Sequence, residues 1–123
     1  MKLTNIQLGA VTLRVNDLNA MKTFYEEVIG MDVLETKDKY VTLGAKTTPL
    51  VILHEVKGVR PNRQAAGLFH LAILLPDRIE LGRILHHLIN RRIEVGQGDH
   101  LVSEAFYLSD PEGNGIELYA DRP

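Results

Sequence analysis

Val11-Thr12-Leu13-Arg14-Val15-Asn16-Asp17-Leu18 decides the fold, because its pattern returns 60 residues on, from Val11 to Leu71, in Leu71-Ala72-Ile73-Leu74-Leu75-Pro76-Asp77-Arg78. In the first copy the apolar Val11, Leu13 and Val15 alternate with Thr12 and Arg14, the two-residue period of a strand with one buried face. Asn16-Asp17 breaks that period, and the Asp17 carboxylate is suited to accept orphan backbone N–H groups at a helix start. Leu18, Met21, Phe24, Tyr25 and Val28 then recur at helical spacing up to Gly30, which predicts a helix over Leu18 to Ile29. In the second copy an apolar strand over Leu68 to Leu75 stops at Pro76-Asp77. Asp77 with Glu80 reads as a capping box. Leu81, Ile84, Leu85 and Leu88 carry a helix from Arg78 to Asn90. Caps and helix stripes agree together: Asp17 with Asp77, Met21 with Leu81, Phe24 with Ile84, Tyr25 with Leu85 and Val28 with Leu88. That agreement indicates a duplicated unit.

Outward from these cores, Asp32 to Glu35, Lys39 to Leu43 and Leu50 to Val56 are three strand candidates behind the first helix. Ile93 to Val95, Ala105 to Leu108 and Gly115 to Tyr119 are three behind the second. Lys57 to Ala66 carries Gly58, Pro61 and Asn62 and reads as a linker loop. Asp110-Pro111-Glu112-Gly113-Asn114 reads as a turn, with proline fixing φ and glycine free to take positive φ. The expectation is an α+β protein. Residues 1–123 form one domain of two tandem βαβββ modules, at about 5–57 and 67–121. One unit has too little sheet to bury its helix alone, so the pair packs into a curved mixed sheet with a concave cavity and helices outside.

Composition narrows the function classes. The chain has 123 residues with 45% hydrophobic and 24% charged, which is ordinary for a folded domain and excludes a disordered tail. At this length roughly two-thirds of the unfolded surface is buried, enough for one core. A net charge of −2, with both signs intermixed, gives no basic surface for nucleic acid or anionic membrane. No apolar run reaches the roughly 20 residues of a membrane span. No apolar segment follows Met1-Lys2-Leu3-Thr4, so no secretory signal is expected. Cysteine is absent, which removes disulfides, thiolate metal sites and cysteine nucleophiles, and fits a cytoplasmic protein. Chemistry must come from the five His, the carboxylates, the four Tyr, the hydroxyls or a bound metal.

Paired βαβββ modules resemble the vicinal oxygen chelate superfamily of glyoxalases, bleomycin-resistance proteins, fosfomycin-resistance transferases and extradiol dioxygenases. Val11 to Leu18 and Phe24-Tyr25-Glu26-Glu27-Val28-Ile29-Gly30 are similar to its opening strand and helix. The second half is more specific. Gly98-Asp99-His100, Phe106-Tyr107, Asp110-Pro111-Glu112-Gly113 and Glu117 stand at the spacing of the extradiol dioxygenase signature. Gly67 to Pro76 and Gly113 to Pro123 resemble the N-terminal half of catechol-2,3-dioxygenase-like bacterial proteins, which carry two such module pairs.

That resemblance implies a metal in the cavity, held by a His on the first strand, a His on the fifth and a Glu on the eighth. Such a face leaves positions open for two vicinal substrate oxygens and dioxygen. His70 takes the fifth-strand place and Glu117 the eighth. The first-strand place falls on Ala10, which cannot ligate. The fourth strand offers Val51, Ile52 and Leu53 where glyoxalase-type sites put a Glu. His54 or His100 or waters would complete a set for Fe(II) or Mn(II). In the family reading His100 handles protons and Tyr107 hydrogen-bonds the substrate, a small aromatic molecule such as a catechol. The plainer account stands beside this one. His70 is then a buried histidine satisfied by Glu117, and His100 a solvated loop residue. His86 and His87, adjacent on one helix, are surface or interface residues. Tyr25 is core, and Arg91-Arg92 meets a helix C-terminus.

Three functions follow: an extradiol dioxygenase domain using a divalent metal, a metal-free binding module for a small aromatic or drug-like ligand, and a non-catalytic half of a two-pair enzyme. A single module pair leaves sheet edges open, so a homodimer or a second module pair is the expected partner.

Overall fold

A computed structural model describes residues 10–58, 70–99 and 103–121. The element order is β1 (Val11–Val15), α1 (Leu18–Thr23) running into a π-helical stretch (Phe24–Ile29), then β2 (Asp32–Lys37), β3 (Tyr40–Ala45) and β4 (Thr48–Glu55). The second unit repeats it with β5 (His70–Leu74), α2 (Arg78–Asn90), β6 (Gly96–Asp99), β7 (Ser103–Ser109) and β8 (Gly115–Asp121). Module limits near 5 and 67 lie outside the described residues.

The eight strands divide between two four-stranded mixed sheets of one topology, β1-β4-β3-β2 and β5-β8-β7-β6. In each, the first and last strands run parallel and the others antiparallel. Val11 and Leu13 pair with Val51 and Leu53, as Leu71 and Ile73 pair with Ile116 and Leu118. These residues are buried or nearly so on the helix-facing side and join Met21, Phe24, Val28, Leu81, Ile84 and Leu88 in one core. Each fully buried Leu or Ile contributes about 1.5–3 kcal/mol.

The caps form as the sequence predicts. The Asp17 carboxylate accepts from the Ala20 N–H at 3.0 Å, and the Asp77 carboxylate from the Glu80 N–H at 2.9 Å. Glu80 itself turns toward Arg83, 3.6 Å away, so the ion pair takes the carboxylate that a full capping box would use. The first helix is wider than predicted past Phe24. It closes with the Gly30 and Met31 N–H groups both on the Tyr25 carbonyl, and Gly30 takes the left-handed conformation at φ 94°.

One strand differs from expectation. Ile93 to Val95 is not a strand. It is held to the end of α2 by the Ile93 N–H on the Leu88 carbonyl, and strand pairing starts at Gly96. Gly96-Gln97-Gly98-Asp99 has no apolar alternation, so β6 exists because β7 offers it a ladder and not because of its own pattern.

Among the described residues, three sets of polar contacts tie the modules together. The buried Tyr25 hydroxyl donates to Asp110 at 2.7 Å. The N–H groups of Asn16 and Asp17 donate to the Glu112 carboxylate at 2.8–3.0 Å, where negative charge meets the positive end of α1. His87 of α2 and Arg91 just past its end reach Glu27, at its carbonyl (3.0 Å) and its carboxylate (3.9 Å).

Candidate functional site

The face of each sheet turned away from the helices carries the polar and aromatic side chains. In the second sheet, Tyr107 on β7 stands directly across from Glu117 on β8, and Glu117 across from Ala72 on β5. One row further, Ala105, Tyr119 and Leu74 lie side by side. Strand alternation puts Glu117 and Tyr119 on one face, while Ile116, Leu118 and Ala120 fill the core. The Asp110–Asn114 turn makes the β7–β8 hairpin, with Gly113 at φ 87° and its N–H on the Asp110 carbonyl.

Partial burial, the neighbouring Glu117 charge and a hydrogen bond to that carboxylate together hold the Tyr107 hydroxyl above the usual phenol range. The phenol therefore stays protonated at neutral pH and can donate, while Glu117 accepts. Such a pair can engage a hydroxylated ligand through both atoms. Tyr107 also borders a cleft of about 610 Å³ shared with Phe24, Ile93, Pro111 and Ile116; Glu117 is not among its lining residues.

His70 opens β5 and pairs with Gly115, two positions before Ala72, the partner of Glu117. Alternation places the His70 and Glu117 backbone positions on one face of the sheet. The His70 side chain and the whole of His100 lie outside what the structure describes. Tyr107 and Glu117 are thus brought together.

Among the described residues, the first module holds no counterpart of the Tyr107–Glu117 pair. Thr12 pairs with Ile52 as Ala72 pairs with Glu117, so Ile52 stands where Glu117 stands. Val51 and Leu53 are core. Ala10 precedes β1 and is exposed. His54 is on the open face of the first sheet, its ring stacked on that of Tyr40 with centroids 4.3 Å apart and 7° between planes.

The Asp110-Pro111-Glu112-Gly113 segment is not at this face. Asp110 is 5% exposed and accepts four hydrogen bonds, from the Tyr25 hydroxyl, the N–H groups of Glu112 and Asn114, and the Asn114 amide. With Glu112 on the Asn16 and Asp17 N–H groups, this segment clasps the second module to the first. Sequence reasoning missed the clasp. Its one visible signal is Tyr25, a residue with a polar tip on an otherwise apolar helix stripe.

The profile of the Glyoxalase/Bleomycin resistance protein/Dioxygenase superfamily matches residues 7–118. The catechol-2,3-dioxygenase of Bacillus subtilis (strain 168) is 50% identical over 119 residues, covering 94% of this chain and 42% of that protein. The match lies in the N-terminal half of that relative. Among solved structures, a glyoxalase/dioxygenase from Nostoc punctiforme superposes with a TM-score of 0.79 at 20% identity, over 95% of this chain and 92% of that one. Lactoylglutathione lyase from Agrobacterium tumefaciens superposes with a TM-score of 0.73 at 21% identity, over 93% and 92%. The pairing of two βαβββ units, the signature spacing in the second and the profile match converge: this chain belongs to the Glyoxalase/Bleomycin resistance protein/Dioxygenase superfamily.

Proposed function

We propose that the chain is a module pair of an extradiol, catechol-2,3-dioxygenase-like ring-cleaving enzyme that handles a small aromatic substrate. The observation that carries this reading is the Tyr107–Glu117 pair on the open face of the second sheet, at signature spacing, in a chain 50% identical to a catechol-2,3-dioxygenase. In this reading His70 and Glu117 are the metal ligands, and His100 and Tyr107 act on the substrate's hydroxyl groups. Fe(II) or Mn(II), when bound, would supply the centre at which a catecholate and dioxygen meet.

The strand positions do not complete the expected three-ligand face. Ile52 and Ala10 occupy places that ligands would need, and His54 is engaged with Tyr40. Among the described residues no three His, Asp or Glu side chains gather at one point. The side chains of Ala10 and Ile52, which cannot ligate, favour a second reading, in which the pair is a binding module or a non-catalytic half and ring cleavage belongs to another module pair. A homodimer or a second module pair is the proposed partner in either case.

The test adds Fe(II) or Mn(II) to the purified chain and measures bound metal by elemental analysis and catechol cleavage by absorbance of the ring-opened product. Stoichiometric metal and turnover, both lost in Glu117→Gln, support the first reading. Metal-free protein that still binds catechol supports the second. No metal, no turnover and no catechol binding would overturn both.

A further inference from the structure

The first sheet carries a constellation on its open face that the Tyr107–Glu117 site does not use. Arg14 on β1, His54 on β4 and Tyr40 on β3 are consecutive partners across three strands, so their side chains form one row. The Tyr40 and His54 rings stack in parallel, yet Tyr40 keeps 42% of its surface exposed. The stacked pair therefore keeps aromatic surface open to solvent, with His54 on the Arg14 side and Tyr40 beyond it. Beside it, Arg14 is exposed and makes no ion pair among the described residues. Lys37, next in the row after Tyr40, is already taken by Glu35 at 3.8 Å. Within this row, the cation without an ion pair among the described residues is Arg14, on the β1 side of the ring pair.

An unpaired guanidinium and an exposed ring stack select a ligand with two matching parts. A planar guanidinium suits a carboxylate, which it meets with two parallel hydrogen bonds. A stacked ring pair suits another planar ring, offset over it. We propose that this row is a binding site for an aromatic carboxylate, with its ring against the Tyr40–His54 stack and its carboxylate on Arg14. The equivalent row of the second sheet is Leu74, Tyr119 and Ala105, which contains no cation and one aromatic residue, so the Arg–His–Tyr row does not recur there. It lies on the other sheet from Glu117 and needs no metal. Its success or failure is thus separate from that of the ring-cleaving reading.

Benzoate is the probe, titrated by calorimetry and followed by amide chemical shifts. Benzyl alcohol tests the ring without charge, and cyclohexanecarboxylate tests the charge without an aromatic ring. Saturable benzoate binding is expected, with shifts on β1, β3 and β4 and at least tenfold weaker binding of both comparison compounds. Arg14→Gln and Tyr40→Leu should each weaken benzoate tenfold or more, whereas Arg83→Gln, on the outer face of α2, should leave it unchanged. Both altered positions are exposed, and an unchanged melting curve shows that each variant is folded. Benzoate binding no tighter than that of either comparison compound, shifts confined to the second sheet, or full affinity in folded Arg14→Gln or Tyr40→Leu would overturn the proposal.

Discussion

Replacing Asp110 with Ala tests whether the signature turn is a clasp. The side chain accepts four hydrogen bonds at 2.7–2.9 Å and is almost wholly buried. Two of the four donors are backbone N–H groups of the turn at half-buried residues, where water can replace the carboxylate at small cost. The Tyr25 hydroxyl cannot be rescued so easily, because Tyr25 has no exposed surface. A buried donor left without a partner costs about 1–3 kcal/mol. Adding the lost turn bonds, Asp110→Ala should cost about 3–5 kcal/mol, a large share of the roughly 5–15 kcal/mol that holds a domain. Tyr25→Phe removes one hydroxyl from a charged acceptor that keeps three others, for about 1.5–3 kcal/mol. The two losses share one bond, so the double variant should be more stable than their sum implies by about 1–3 kcal/mol. Urea unfolding at neutral pH reads all four corners of the cycle. With slopes of about 1–3 kcal/mol/M, shifts of this size are well resolved. Additivity within about 0.5 kcal/mol would refute the reasoning, because it would mean that the hydroxyl and the carboxylate do not sense each other.

Alkaline titration follows from the same contact. Burial first, then the Asp110 charge and hydrogen bond, raise the Tyr25 hydroxyl far above its ordinary value of 10.0. Its folded-state value exceeds its unfolded value, so its stabilisation is complete below about pH 10 and is lost as pH rises beyond that. Stability measured from pH 9 to 12 should fall in the native chain, and less steeply in Tyr25→Phe. Tyr107 is also raised, by partial burial and by Glu117, so Glu117→Gln should bring its titration, followed by tyrosinate absorbance against a Tyr107→Phe reference, back toward 10.0. An unmoved titration would break the proposed pairing. Under the proposed metal reading, Ala10→His should increase uptake of Fe(II) or Mn(II) by adding a third ligand beside His70 and Glu117; unchanged uptake by elemental analysis counts against that reading.

Much of the fold was legible because duplication reinforces weak signals. Asp17 and Asp77 each predict a cap alone, and together with two helix stripes they predict a unit. The limits of α2 at Arg78 and Asn90 were readable from its apolar spacing. β6 was not readable, because Gly96 and Gly98 have no side chains to set a period and partner strands alone specify the element. The π-helical stretch was hidden for a related reason. Phe24, Tyr25 and Val28 keep an apolar stripe whether the turn holds four or five residues, and the wider closure is visible only in the Gly30 and Met31 bonds to Tyr25. At the site, the neighbourhood of Tyr107 and Glu117 followed from hairpin geometry. The clasp did not, since a carboxylate in a turn is usually read as turn chemistry.

The division within the signature bears on how a module pair can change function and keep its shape. Asp110 and Glu112 join the modules, while Tyr107 and Glu117 face outward from the second sheet. These groups are adjacent in sequence and separate in role. Neither Ala10 nor Ile52 takes part in the clasp contacts, so the residues on the open faces can change without loosening the clasp. The first sheet is then free to carry other chemistry on its open face, and the Arg14–His54–Tyr40 row stands where its pseudo-equivalent strands hold Leu74, Tyr119 and Ala105. Assembly constrains the turn and the helix start, and ligand chemistry constrains the open faces. A signature that spans both therefore reports the fold more firmly than it reports the reaction.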